Sequence, residues 1–146
     1  MSNFTTTWKR STQPRKQRKY RYNAPLHVKQ KFMHVHLAKD LRTKHGFRNI
    51  QVKTGDKVKI MRGSHKGKEG KVEKVSLKKE KIYITGIENV RKEGSKTLIA
   101  FTPSNLQITT LNLEDKKRKA KLESKKIIKK PTEGETKNET SKNNAS

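Results

Sequence analysis

The sequence predicts a small, mainly β barrel set between two strongly basic extensions. Three observations carry that prediction. Between residues 48 and 113, apolar side chains alternate with polar ones in short runs divided by glycine-rich turns. Upstream the apolar spacing is helical, and downstream it decays into charge. Only 28% of the 146 residues are hydrophobic while 35% are charged, so a core cannot extend along the whole chain.

Residues 1–22 form a basic arm. From Trp8 to Tyr22 it contains no acid and interleaves aromatics with Lys and Arg, and it is expected to be disordered when free. Lys9, Arg10, Arg15, Lys16, Arg18, Lys19 and Arg21 suit phosphate contacts. Trp8, Tyr20 and Tyr22 suit stacking on unpaired bases, worth roughly 1–3 kcal/mol per base. An acid-free run with aromatics has little reason to exist in water, which favours RNA contact over a solvated tail.

Residues 23–47 read as a helical extension. Asn23 can cap a first helix whose first turn takes Pro25, with Val28 and Phe32 on one face and Met33 beside them. His27, Lys29 and Lys31 on that helix join the candidate RNA contacts. A second helix is expected from about Leu37 to His45, with Leu37 and Leu41 inward and Gly46 as its left-handed stop.

Residues 48–113 read as the barrel. Strands are expected at Val58–Ile60, Gly70–Val75, Ile82–Thr85, Thr97–Phe101 and Leu106–Leu111, with hairpin loops at Lys78–Glu80 and Lys92–Ser95. Residues 114–146 form a basic, then disordered, tail. Lys116–Lys121 holds good helix formers, and Glu114 and Asp115 favour a helix N-terminus. Without an apolar face, that segment is expected to be helical only against another surface. From Pro131 onward the composition is that of a disordered segment.

Charge narrows the function. Lys and Arg number 38 against 13 Asp and Glu, a formal net charge of +25. Such a chain repels itself until a polyanion neutralises it, and counterion release makes nucleic acid the natural partner. A membrane partner is not expected, because neither an amphipathic helix with an aromatic face nor a spanning apolar run is present. The first residues lack the apolar run of a signal peptide, so the protein is expected to stay inside the cell.

The absence of Cys excludes thiolate zinc sites, disulfides and thiol nucleophiles. His34 and His36 stand two apart, which does not place them on one helical face, and few carboxylates lie near His27 and His34. No metal, cofactor or small-molecule substrate is expected. Asp40, Asp56 and Asp115 are scattered, and Ser64-His65 has no orienting third group, so no enzyme is expected.

The most specific signal is Thr54–Val75, TGDKVKIMRGSHKGKEGKVEKV. Gly55-Asp56 turns into a strand on which Val58 and Ile60 point inward. Gly63 ends that strand, and Gly67 and Gly70 punctuate the return. Glycines there permit positive φ and close approach of a partner, with Arg62, His65, Lys66 and Lys68 crowding the same loop.

This Gly-Asp-x-Val…Gly…Lys-Gly-x-x-Gly-x-Val pattern resembles the KOW motif of small SH3-like barrels in ribosomal and transcription-elongation proteins. Asn23-Ala24-Pro25 with His27, Pro103-Ser104-Asn105 before the Leu106–Leu113 stretch, and the basic run after Asp115 extend the likeness. Over Arg15–Lys121 the chain is similar to the KOW-type large-subunit ribosomal proteins of universal family twenty-four, in their archaeal and eukaryotic branch.

That resemblance implies an SH3-like barrel and a structural role in the large subunit of the cytoplasmic ribosome. It implies binding to large-subunit rRNA in its 5′ domain, early assembly, a place near the nascent-peptide tunnel exit, and ribosomal proteins as neighbours. It assigns Arg62, Gly63, His65, Lys66, Gly67 and Lys68 to an RNA-facing loop, although Ser64-His65 departs from the pairs many relatives carry. The runner-up reading is a KOW transcription-elongation or RNA-chaperone factor, which usually carries a further domain. A protein–protein adaptor fits poorly with a charge that would bind nucleic acid indiscriminately.

Overall fold

A computed structural model describes residues 4–128, without the side chains of Trp8 and 124–128. The tail expected to be disordered from Pro131 lies outside the described residues.

Seven strands build one strongly bent sheet. They are β1 (His34–Leu37), β2 (Asn49–Gln51), β3 (Lys57–Ile60), β4 (Glu69–Ser76), β5 (Lys81–Val90), β6 (Lys96–Phe101) and β7 (Leu106–Thr110), in the order β2-β1-β7-β3-β4-β5-β6. All neighbouring pairs are antiparallel except β1 and β7. Register shifts fall between Lys57 and Val58, Val72 and Lys74, and Tyr83 and Glu88. Such irregularities bend and twist a strand, which lets a short sheet curl around its own core as an SH3-like barrel.

Alternation places the core. Val58, Ile60, Val72, Ile82, Ile84, Leu106 and Ile108 are buried at alternate strand positions and join Val35, Leu37, Ile87 and Phe101 in one cluster. Burying each such side chain is worth about 1.5–3 kcal/mol. β3 to β7 stand where the period-two pattern puts them, and β5 runs well past its expected end at Thr85. Gly70 of β4 packs directly against β5. A Cβ there would sit 2.5 Å from Ile84 Cγ2 and 2.9 Å from the Thr85 carbonyl oxygen, so only glycine fits.

The upstream elements differ from expectation. The segment expected as an irregular arm carries a 3-10 turn at Thr7–Arg10 and helix α1 at Pro14–Asn23. Pro14 opens α1, and Arg, Lys and Gln propagate it well. Asn23 therefore ends a helix rather than capping one. Pro25 disfavours helical backbone at Ala24, which sits at ψ 132°, and helix α2 (Leu26–Phe32) begins after that break.

The second expected helix is corrected as well. Its start is taken by β1, and only Lys39–His45 is helical (α3), closed by Gly46 at φ 68° as expected. Helix α4 (Lys116–Ile128) does have an inward face: Arg118 and Leu122, one turn apart, are both buried.

Candidate nucleic-acid interface

The glycine loop between β3 and β4 is held from its base. The Gly67 N–H donates to the Ile60 carbonyl at 2.8 Å, and the Ile60 N–H to the Lys68 carbonyl at 2.9 Å. Inside the loop, Lys66 N–H donates to the Gly63 carbonyl at 3.0 Å. The Met61 N–H reaches the Asn105 carbonyl at 2.8 Å, tying the loop to a 3-10 turn at Pro103–Asn105.

Gly63 (φ 92°) and Gly67 (φ 89°) are left-handed, and a Cβ on either would meet nothing within 4 Å. Glycine is required there by backbone conformation, and it leaves main chain bare to an incoming partner. Arg62, Lys66 and Lys68 are exposed around it. His65 differs from them: it is half-buried, with its ring edge-on to Phe101 at 6.2 Å.

The upstream residues separate into two groups. Lys9, Arg10, Arg15, Lys16, Arg18, Lys19, His27 and Lys31 are exposed, and Tyr22 is 84% exposed. Tyr20 is buried instead, with its ring 5.0 Å from Phe4 and 6.2 Å from Phe32. Its expected role as a stacking platform passes to the fold, where it seats α1 against α2. Arg21 pairs with Glu80 and lies 5.6 Å over the Phe32 ring, and the Lys29 ammonium donates to the Tyr22 carbonyl at 3.2 Å.

The sequence reading missed a second cationic cluster. His34 and His36 share one face of β1, a placement that the expected helix disallowed. Burial, then Arg42 and Arg48, push the His36 imidazole below its usual pKa. His34 Nδ1 meets Asn49 Oδ1 at 3.1 Å. Among the described residues, no group of three or more His, Cys, Asp or Glu could hold a metal ion, and no helix is long and apolar enough to cross a membrane.

The reading also missed a buried clamp. Asp56 is 0% exposed and Arg118 is 5% exposed. Arg118 Nη1 and Nη2 donate to the two Asp56 carboxylate oxygens at 2.6 and 2.7 Å. Asp56 also accepts the N–H groups of Lys53 at 2.8 Å and Asn112 at 2.9 Å. Arg118 reaches the carbonyls of Asn112 at 2.8 Å and Gln51 at 3.2 Å. This fork binds α4 to the barrel end opposite in charge logic to the open loop: every acceptor here is met by protein. One signal was available, since Arg118 is the sole arginine in a lysine run and arginine suits bidentate burial where lysine does not.

Comparison with known proteins adds an independent line. The family model for the eukaryotic ribosomal proteins L26 and their archaeal counterparts matches residues 11–125. The large ribosomal subunit protein uL24 of Methanothrix thermoacetophila is 49% identical over 108 residues, covering 74% of this chain and 93% of that protein. The uL24 protein of Methanocorpusculum labreanum is 48% identical over 115 residues, covering 79% and 95%. That of Methanosarcina barkeri is 49% identical over 108 residues, covering 74% and 93%.

Proposed function

We propose that this chain, which belongs to the family of the eukaryotic ribosomal proteins L26 and their archaeal counterparts, is a structural RNA-binding protein of the large ribosomal subunit. Family membership carries the coarser part: a large-subunit component that works in the cytoplasmic ribosome and builds the particle rather than catalysing a reaction. The finer part is our reading. The protein binds large-subunit rRNA in its 5′ domain, supports early assembly and sits near the nascent-peptide tunnel exit, among neighbouring ribosomal proteins.

The observation that carries RNA binding is the loop of residues 61–68. It offers bare left-handed backbone at Gly63 and Gly67 beside exposed Arg62, Lys66 and Lys68. RNA backbone can approach the main chain there while cations neutralise phosphates. The net charge of +25 supplies the long-range attraction. Recognition of this kind reads shape and phosphate position more than sequence.

Sucrose-gradient fractionation of lysate after a salt wash, with the protein tracked by mass spectrometry, tests the reading. One copy per large subunit is expected. Sedimentation at the top of the gradient, or with RNA polymerase, would move the function to a KOW elongation factor.

A further inference from the structure

We propose that the groove between the 61–68 loop and the β5–β6 hairpin receives one unpaired nucleobase of the bound RNA. This rests on the RNA-binding reading above and deepens it by naming the ligand unit and the residues that take it.

The groove encloses about 530 Å³, enough for a single nucleotide and too little for a duplex. The half-buried His65 and the 8% exposed Phe101, packed edge-to-face, make its aromatic wall. Bases stack on such surfaces in a sequence-tolerant way. Glu88 and Asn89, exposed on β5, and Asn105 line the same groove. Amides match the alternating donors and acceptors of a base edge. A carboxylate only accepts, so Glu88 favours a base presenting paired N–H donors, which is guanine.

A second, independent observation points to a ligand. His65 Nδ1 is buried and has no hydrogen-bond partner among the described residues. A buried polar atom left unmet is costly, so a ligand that shifts the His65 ring enough to reach Nδ1 gains a hydrogen bond the free protein lacks. Charge is also disposed as a nucleotide requires. The groove is lined both by Arg62, next to the bare backbone of Gly63 and suited to the phosphate, and by Glu88, suited to the base.

The test is chemical probing of base edges, together with hydroxyl-radical mapping of the RNA backbone. Naked large-subunit rRNA is bound by the full chain and by its Glu88→Gln and Asn89→Ala variants, with intact subunits probed in parallel. The wild type should protect the Watson–Crick edge of one unpaired guanine. Each variant should restore that nucleotide's reactivity and weaken binding about 3- to 10-fold, with backbone protection and the thermal transition unchanged. Backbone protection without any protected unpaired base, or base protection that survives both variants, overturns the nucleobase site and leaves RNA binding standing. Protection present in subunits and absent on naked rRNA overturns it in favour of a protein side chain in the groove. Failure of the wild type to bind rRNA at all overturns both.

Discussion

Arg62 and Arg118 lie in stretches of the same basic character, yet the fold uses them in opposite ways. Arg118 is taken inside, where its guanidinium forks onto Asp56 and two backbone carbonyls. Arg62 stands at the rim of an open loop whose backbone glycines leave uncovered. In the clamp, the protein supplies a partner for nearly every polar atom, although Arg118 Nε has none among the described residues. In the loop, the donors face outward. Cationic composition alone therefore does not mark an RNA contact. What the proposed RNA contact requires is a cation the protein has not already satisfied.

The sharpest way to break this comparison is to cut the clamp. Arg118→Ala leaves Asp56 buried with no counter-charge, and breaking a buried pair from one side costs about 3–5 kcal/mol. Urea unfolding should show that loss, and Arg118→Lys should recover only part of it, since an ammonium cannot fork. A loss below about 1 kcal/mol would place the pair with ordinary surface ion pairs.

Next in size come the glycines. Gly70→Ala drives a methyl into the Thr85 carbonyl and Ile84, and overpacking of this kind costs about 1–3 kcal/mol. Gly67→Ala meets no neighbour, but it must hold an L-residue at φ 89°, at about 1–2 kcal/mol. The two should separate by function. Gly67→Ala covers the exposed backbone and should lower RNA affinity beyond its cost in stability. Gly70→Ala should lower stability alone.

A smaller effect on folding, confined to binding, is expected at the lysines of the loop. Lys66→Glu with Lys68→Glu should leave the unfolding midpoint within the range of surface substitutions, about 0.5 kcal/mol. RNA affinity should fall, and the slope of log affinity against log salt should drop by roughly 0.9 for each phosphate no longer neutralised. An unchanged slope would remove both lysines from the interface.

The contrast between clamp and loop also explains what the sequence made legible. Val58 and Ile60 announce β3 because alternation is local, and Gly46 announces the end of α3 because left-handed backbone is a property of one residue. β1 lies inside a segment that reads as helical, with Leu37 opening its second helix, since the strand's stabilising partner is β7, with His36 opposite Gln107 and Leu37 opposite Ile108. No window around residue 36 contains that information. Asp56 and Arg118 are likewise 62 residues apart. The loop, being built from neighbouring residues and unsatisfied by the rest of the chain, is the part a sequence shows most directly. Tyr20 went the other way: an aromatic among cations suggested stacking on RNA, and its packing between Phe4 and Phe32 depends on how the arm folds back.

The smallest effect belongs to the exposed counterpart of the clamp. Asp115 pairs with Lys53 and accepts the Lys117 N–H at 2.9 Å at the start of α4. The hydrogen bond from the Lys53 side chain, then that from the Lys117 backbone, hold the Asp115 carboxyl below its usual pKa. A carboxyl depressed in the folded state adds stability above its unfolded pKa, near 3.9, and loses it as pH falls through the folded value. Asparagine caps a helix about as well as aspartate, so Asp115→Asn isolates the charge. The variant should be slightly less stable than wild type at neutral pH, and the two should converge as pH drops below about 4. Raised salt should shrink the difference at neutral pH, because water and ions reach this pair. A difference that persisted in acid would mean that Asp115 acts through its hydrogen bonds rather than its charge. The contrast between an ion pair sealed by the fold and one open to solvent would then rest on Arg118 alone.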